Sequence, residues 1–170
     1  MKHNYNIKYK RIELKPMSLM ESEIYRKMRN RESVRKWFKS KEIISKEAQE
    51  QWYKEYVGRK NDIMFSIFSK EGEFVGGVSV YDIDQNKKEA EFGRLLIECK
   101  STEQKGLGVE AAEAISIIAK KELDLQILRL EVYEENLAAI KTYLRSGFVY
   151  VKQDTDMDGN VIVKMVKRLE

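Results

Sequence analysis

The chain has 170 residues, 42% of them apolar and 35% charged, which suits one domain with a real core under a charged surface. Its 32 basic and 28 acidic residues leave a net charge of +4 with interspersed signs, so no basic stripe marks a nucleic-acid partner. One cysteine, Cys99, excludes an internal disulfide and a cysteine metal site. One histidine, His3, in a polar terminus, argues against a Ser-His-Asp triad or a histidine metal centre, so no metal is expected.

Acid–base chemistry must then fall to Glu, Asp, Tyr or Lys. The opening residues MKHNYNIKYK lack a signal-peptide core and no apolar run reaches the length of a membrane span. The expectation is a soluble, cytoplasmic protein with no membrane partner.

In chain order, residues 8–14 (KYKRIEL) alternate well enough for an edge strand, and residues 18–29 read as a helix. Ser45, followed by Glu47 and Ala48, starts a second helix that reaches about Tyr56 and stops at Gly58. Three strands follow at 62–69 (DIMFSIFS), 73–82 (EFVGGVSVYD) and 88–98 (KEAEFGRLLIE), joined by hairpin-like turns KEG and DQNK. An amphipathic helix runs from Gly106 to about Glu122, with Val109, Ala112, Ile115 and Ala119 at helical spacing. A strand at 127–133, a helix at 136–146 and a hairpin of 148–155 with 160–168 across Asp158 and Gly159 close the chain. With one proline, Pro16, and no linker or repeat, this order predicts a single α/β (α+β) domain over 1–170. Its mixed, mostly antiparallel sheet has about seven strands flanked by four helices. The strand–helix–strand crossover of 88–133 sets two parallel strands side by side.

Two local patterns carry chemistry. Gln104, Lys105, Gly106, Leu107, Gly108 and Val109 open the long helix directly after a strand and loop. Glycines there remove Cβ atoms from the path of a phosphate, and the first helical turn offers free N–H groups and the positive end of the dipole. A plain tight turn explains the same residues, and the GKS or GKT of a Walker loop is missing. Asn136, Ala139, Tyr143 and Gly147 are spaced by three, four and four, so they share one narrow stripe of a helix. They fit either a cleft wall or a cap, a core alanine, a packed tyrosine and a C-terminal glycine.

Taken jointly, AEFGRLLI, KGLGVEA, LEVYEEN and NLAAIKTYLRSGF over residues 88–148 resemble the acetyl-CoA core of the GCN5-related N-acetyltransferase (GNAT) superfamily. The family pattern Asn-x-x-Ala-x-x-x-Tyr-x-x-x-Gly-Phe is met by Asn136, Ala139, Tyr143, Gly147 and Phe148. The resemblance implies an acetyl-CoA-dependent N-acetyltransferase acting on a primary amine. In it the backbone of Leu95, Leu96 and Ile97 meets the pantetheine arm, residues 104–109 hold the pyrophosphate, and Asn136, Ala139 and Tyr143 line the arm. It further implies Tyr143 as general acid to the departing thiolate and Glu91 as base for the ammonium, with Asp82 and Tyr133 in reserve. The family loop usually reads Gln/Arg-x-x-Gly-x-Gly. Here Glu103 holds its first position and Gln104 is displaced by one.

Residues 18–60 are expected to select the acceptor. Arg29, Asn30, Arg35 and Trp37, followed by Ile43 to Glu47, look like the same region of nucleotide-aminosugar N-acetyltransferases of the pseudaminic-acid pathway type. In that reading the arginines meet a nucleotide diphosphate, Trp37 stacks on a sugar or base, and Tyr81 joins the acceptor wall. The same branch includes ribosomal-protein alanine and polyamine acetyltransferases. Glu42, Glu47, Glu50 and Glu55 alternate with lysines and form no acidic funnel. A GNAT fold that binds acyl-CoA without catalysis is a further reading, and the oligomer is expected to be a monomer or a homodimer.

Overall fold

The computed structural model of the chain describes residues 3–98 and 102–170. The elements are β1 (Ile7–Tyr9), β2 (Ile12–Pro16), α1 (Leu19–Arg29), α2 (Glu32–Arg35), α3 (Lys46–Gly58), β3 (Asp62–Ser69), β4 (Phe74–Asp84), β5 (Glu89–Ile97), a 3-10 turn (Thr102–Gln104), α4 (Leu107–Lys121), β6 (Ile127–Tyr133), α5 (Leu137–Arg145), β7 (Val149–Thr155) and β8 (Val161–Arg168). They build one sheet in the order β1-β2-β3-β4-β5-β6-β8-β7, antiparallel at every step but β5–β6.

The mixed sheet and helix layers match the expectation, with two differences. The single strand expected at 8–14 is a hairpin, because Lys10 takes a left-handed conformation (φ 50°) and turns Ile7 opposite Leu14. That makes eight strands among the described residues. The four-residue α2 was not anticipated, being too short to show a helical period.

Helix starts follow local chemistry. At α1 the Ser18 hydroxyl accepts from the Glu21 N–H (3.3 Å) while the Glu21 carboxylate accepts from the Ser18 N–H (2.8 Å), a reciprocal capping box. The Ser45 hydroxyl caps α3 and the Asn136 side-chain oxygen caps α5, accepting from the N–H groups of Ala48 and Ala139.

The sheet is covered on both faces. On one, α4 buries Leu107, Ala111, Ile115 and Ile118 against Phe65, Val78, Phe92 and Leu130. On the other, Met17, Tyr25, Tyr56 and Met64 form a smaller cluster under α1 and α3. His3 is part of this packing rather than a free terminus. It is 7% exposed, its ring lies 4.6 Å from Phe65, and its Nε2 is 3.1 Å from the Met64 carbonyl oxygen. Burial holds its pKa below the ordinary value.

The strand β5 carries the feature that shapes the site. Ser79 pairs with Gly93 but Gly77 pairs with Leu96, so β5 holds one extra residue, absorbed by Arg94 at φ 52°. The bulge inverts the alternation of β5: Phe92, Leu95 and Ile97 pack with the α4 layer while Leu96 turns to the other. The parallel ladder with β6 runs only from Glu89–Ile127 to Glu91–Arg129, and beyond it the two strands part.

Past the bulge, β4 and β5 approach so closely that a Cβ on Gly76 would lie 1.9 Å from the Leu96 carbonyl oxygen. Backbone cannot yield as a side chain does. Gly76→Ala is therefore expected to cost about 3 kcal/mol or more in urea unfolding, the range of severe backbone clashes. An unchanged midpoint and m-value would mean that the strands separate here without penalty.

Candidate active site

Where β5 leaves β6, a cavity of about 500 Å³ opens between the β5 edge, α5 and the chain connecting α2 to α3. Four of the twelve cofactor-side residues named from the sequence gather on its wall, and Leu96, Ile97 and residues 104–109 lie outside it. Leu95, Asn136, Ala139 and Tyr143 all line it. Asn136 uses its side-chain oxygen to cap α5, accepting from the Ala139 N–H at 3.2 Å. Tyr143 is 9% exposed and meets the rings of Phe92 (5.8 Å, 82°) and Phe148 (6.0 Å, 61°) edge-on. Burial pushes its phenol up to about 12, so it stays protonated at every physiological pH. Leu96 and Ile97 lie further along β5, paired with Gly77 and Gly76.

The GxG turn sits at the start of α4. Gly106 is the N-cap in a left-handed conformation (φ 87°), its carbonyl accepting from Val109 (3.0 Å) and Glu110 (3.4 Å). Leu107 is buried and anchors the turn, whereas Lys105 and Gly106 are exposed and Gln104, Gly108 and Val109 half-buried. A Cβ on Gly108 would stand 3.2 Å from Thr142 Cγ2, so this glycine also lets α4 approach α5. Cys99 and the side chain of Glu103 lie outside the described residues.

On the acceptor side, Arg29 and Trp37 line the cavity and Tyr81 forms its floor. Arg29 is committed to its own scaffold: it donates to the carbonyls of Ser40 (2.6 Å) and Glu42 (3.4 Å) and lies on the Phe38 ring at 4.6 Å. Asn30 stands behind the wall, with Nδ2 donating to the Ile44 carbonyl (2.8 Å) and Oδ1 accepting the Ile44 N–H (2.9 Å). Arg26 donates to that same carbonyl at 2.7 Å. The last turn of α1 thus carries residues 38–44 across the cavity mouth. Arg35, on α2, is not among the lining residues. Asp82 is exposed, and Tyr133 lies under Lys41, 5.4 Å from its ring centroid.

Several lining groups were missed in the sequence. Lys39, from the crossing segment, pairs with Glu131 of β6 at 2.7 Å. Arg94 donates to the buried Asp62 (2.7 Å) and stacks on Tyr81 (4.4 Å), while the buried Tyr25 hydroxyl donates to the Arg94 carbonyl (2.8 Å). The only sequence signal for Arg94 is an arginine inside an otherwise apolar stretch, GRLLI.

Glu91 is half-buried at the last rung of the β5–β6 ladder, between Tyr81 and Arg129. Burial holds its carboxyl above the ordinary carboxylate range, reinforced by Glu131 and Asp82 and opposed by Lys39 and Arg129. A carboxyl raised in the folded state stabilises the protein below its unfolded pKa, and that contribution is lost as pH rises through the folded value. Glu91→Gln is therefore expected to raise the melting temperature at pH 7.5 relative to the unsubstituted chain, with the gain shrinking toward pH 4. A difference independent of pH would show that Glu91 carries no burial cost.

Comparison with known proteins bears on the fold and the family. Among curated protein sequences nothing matches. Among solved structures, the spermidine N-acetyltransferase of Vibrio cholerae in complex with CoA and spermine superposes with a TM-score of 0.83 at 18% identity, over 94% of this chain and 96% of that one. FdhC, a nucleotide-linked sugar GNAT, gives 0.82 at 20% identity over 98% and 91%. AAC(6')-Ib, solved with paromomycin and acetyl-CoA, gives 0.77 at 19% over 94% and 94%. These likenesses establish the fold, and the sequence itself matches the acetyltransferase (GNAT) domain over residues 11–149, so the chain belongs to the GNAT acetyltransferase family.

Proposed function

We propose that this chain transfers the acetyl group of acetyl-CoA to a primary amine held in the cavity beside β5. The observation that carries the reading is the unpaired edge of β5 beyond Glu91, which faces Asn136, Ala139 and Tyr143 and runs toward the Gly106 turn. Acetyl-CoA supplies an activated acyl group as a thioester. The residues of the chain do the rest. Backbone of Gly93 to Ile97, released from β6, is free to hold the arm, and the turn at 104–109 with the first N–H groups of α4 suits the pyrophosphate.

Tyr143 is then the proton donor to the departing sulfur. It is the lining phenol carried by α5 itself, and burial keeps it protonated. Glu91, on the last paired rung and outside the cavity lining, receives the ammonium proton through water, its raised pKa improving it as a base near neutral pH.

For the acceptor we favour a nucleotide-linked aminosugar. Trp37, Phe38, Trp52 and Tyr81 give the cavity an aromatic wall suited to a sugar or base ring. Of the lining cations Arg94 is paired with Asp62 and Lys39 with Glu131, so Arg29 leaves a net positive charge on the wall, which suits a diphosphate better than a polycation. In this role Trp37 faces the acceptor and Arg29 contributes charge from the wall, while its hydrogen bonds and those of Asn30 fix the segment that crosses the mouth.

Comparing kcat/KM for a nucleotide-linked 4-aminosugar, spermidine and a peptide with an N-terminal alanine tests the acceptor, since that ratio reports discrimination. The aminosugar is expected to lead; a clear preference for spermidine or the peptide would replace it. No turnover with any amine, alongside intact CoA binding, would favour a binding module.

Tyr143→Phe is expected to lower kcat by about 10²- to 10⁴-fold, the span of a general-acid contribution, with CoA affinity little changed. Its phenol titrates too high to set an alkaline limb on the rate profile below about pH 11. A folded variant with undiminished kcat leaves Tyr143 a packing residue only.

A further inference from the structure

Arg11 lies in the turn between β1 and β2, ninety-odd residues from α4 in sequence yet against its first turn in space. Its backbone N–H donates to Glu110 Oε2 (3.0 Å), and its Nε and Nη2 donate to Glu110 Oε1 (2.7 and 2.5 Å). Nη2 also donates to the carbonyl oxygen of Lys105 (3.1 Å). Glu110 is 7% exposed and belongs to the first turn of α4. Nearby, Lys10 pairs with Glu113 at 2.6 Å, so the β1–β2 turn is fastened to α4 at two points.

These contacts bear on phosphate binding in two ways. A buried carboxylate in the first turn suits the helix dipole, but it stands close to a bed that has to accept a second anion, and like charges there repel. The Arg11 guanidinium neutralises it. The second effect concerns one peptide plane. In a trans peptide the carbonyl and the following N–H point in opposite directions. With the Lys105 carbonyl drawn toward Arg11, that carbonyl is kept from phosphate oxygens, and the Gly106 N–H is directed to the other side of the turn.

We propose that Arg11 is a positioning residue for the cofactor: acting through Glu110 and the Lys105 carbonyl, it sets the 104–109 turn in its anion-accepting form. The assignment rests on the reading of that turn as the pyrophosphate bed. Arg11 need not touch the phosphates, so its effect belongs to cofactor affinity and not to the chemical step.

Calorimetric titration of the full chain with CoA, beside steady-state kinetics and thermal melts, separates the parts. Arg11→Gln is expected to weaken CoA by about 10- to 100-fold, the usual loss when a group that orients a ligand's direct contacts is removed. Its kcat at saturating acetyl-CoA and its acceptor KM stay within about threefold, because the loss is confined to cofactor binding. Glu110→Gln in the Arg11→Gln background removes the uncompensated carboxylate and is expected to restore most of the affinity, a non-additive pair. A general packing defect would instead lower stability and affinity further in the double variant.

Should Arg11→Gln not fold, Arg11→Lys keeps the charge without the fork and is expected to fall between it and the unsubstituted chain. CoA affinity unchanged in a folded Arg11→Gln or Arg11→Lys variant, or strictly additive losses in the double variant, would overturn the assignment. Failure of the unsubstituted chain to bind CoA would overturn the pyrophosphate reading itself, a result distinguishable from the others.

Discussion

A parallel pair of strands that stops pairing halfway leaves backbone donors and acceptors with no neighbour, and a protein pays for that only where something else is meant to use them. Here β5 and β6 share three rungs and then separate, and just past the last rung β5 carries an extra residue at Arg94. The bulge is held from the side facing α1 and α3. The Tyr25 hydroxyl binds the Arg94 carbonyl, the Arg94 guanidinium binds Asp62, and Arg59 binds the other oxygen of Asp62 at 3.2 Å. Tyr25 of α1 and Asp62 at the start of β3 therefore hold one backbone kink, and Arg94 and Tyr25 both line the cavity beside it.

The side of the cavity proposed for the acceptor is built on α1 as well. Arg26, Arg29 and Asn30 end α1 and spend their side chains on the backbone of residues 40–44. Side-chain donors gripping a connecting segment give it a defined path that its own sequence, with no regular period, does not supply. That path brings Phe38 and Lys39 over the cavity and lets Lys39 reach across to Glu131 on β6. The mouth is thus closed by an ion pair between elements that share no ladder. The Lys39 side chain remains largely exposed, so an entering ligand meets a pair that exchanges partners at modest cost.

Much of this was legible in the residues. The strand at 62–69, the strand at 127–133 and the α5 cap at Asn136 came directly from alternation and capping chemistry. The stripe of Asn136, Ala139 and Tyr143 lines the cavity together, one of the two placements its spacing allowed. What stayed hidden depends on contacts distant in sequence. Nothing local distinguishes an Arg29 that reads a ligand from one that holds residues 40 and 42, and an alternating run such as KYKRIEL does not reveal a reversal at Lys10. The Arg94 bulge is equally silent, because a left-handed arginine is stable only when partners such as Tyr25 and Asp62 arrive from elsewhere.

The surroundings of Tyr143 bear on how it could act. A phenol held near 12 is a weaker acid than an ordinary tyrosine, and an ordinary thiol titrates at about 8.5, so full proton transfer to a solvated thiolate would run uphill. The low-dielectric cavity acts on both partners. Desolvation that lifts the phenol lifts any other anion placed among Phe92, Phe148 and Leu95, so the mismatch narrows inside the site. A neutral phenol facing an anionic sulfur also makes a charge-assisted hydrogen bond, which strengthens as water is excluded. Burial in the aromatic cluster therefore penalises the phenolate, the one form of Tyr143 for which the transfer has no use, and leaves the hydrogen-bond donor intact.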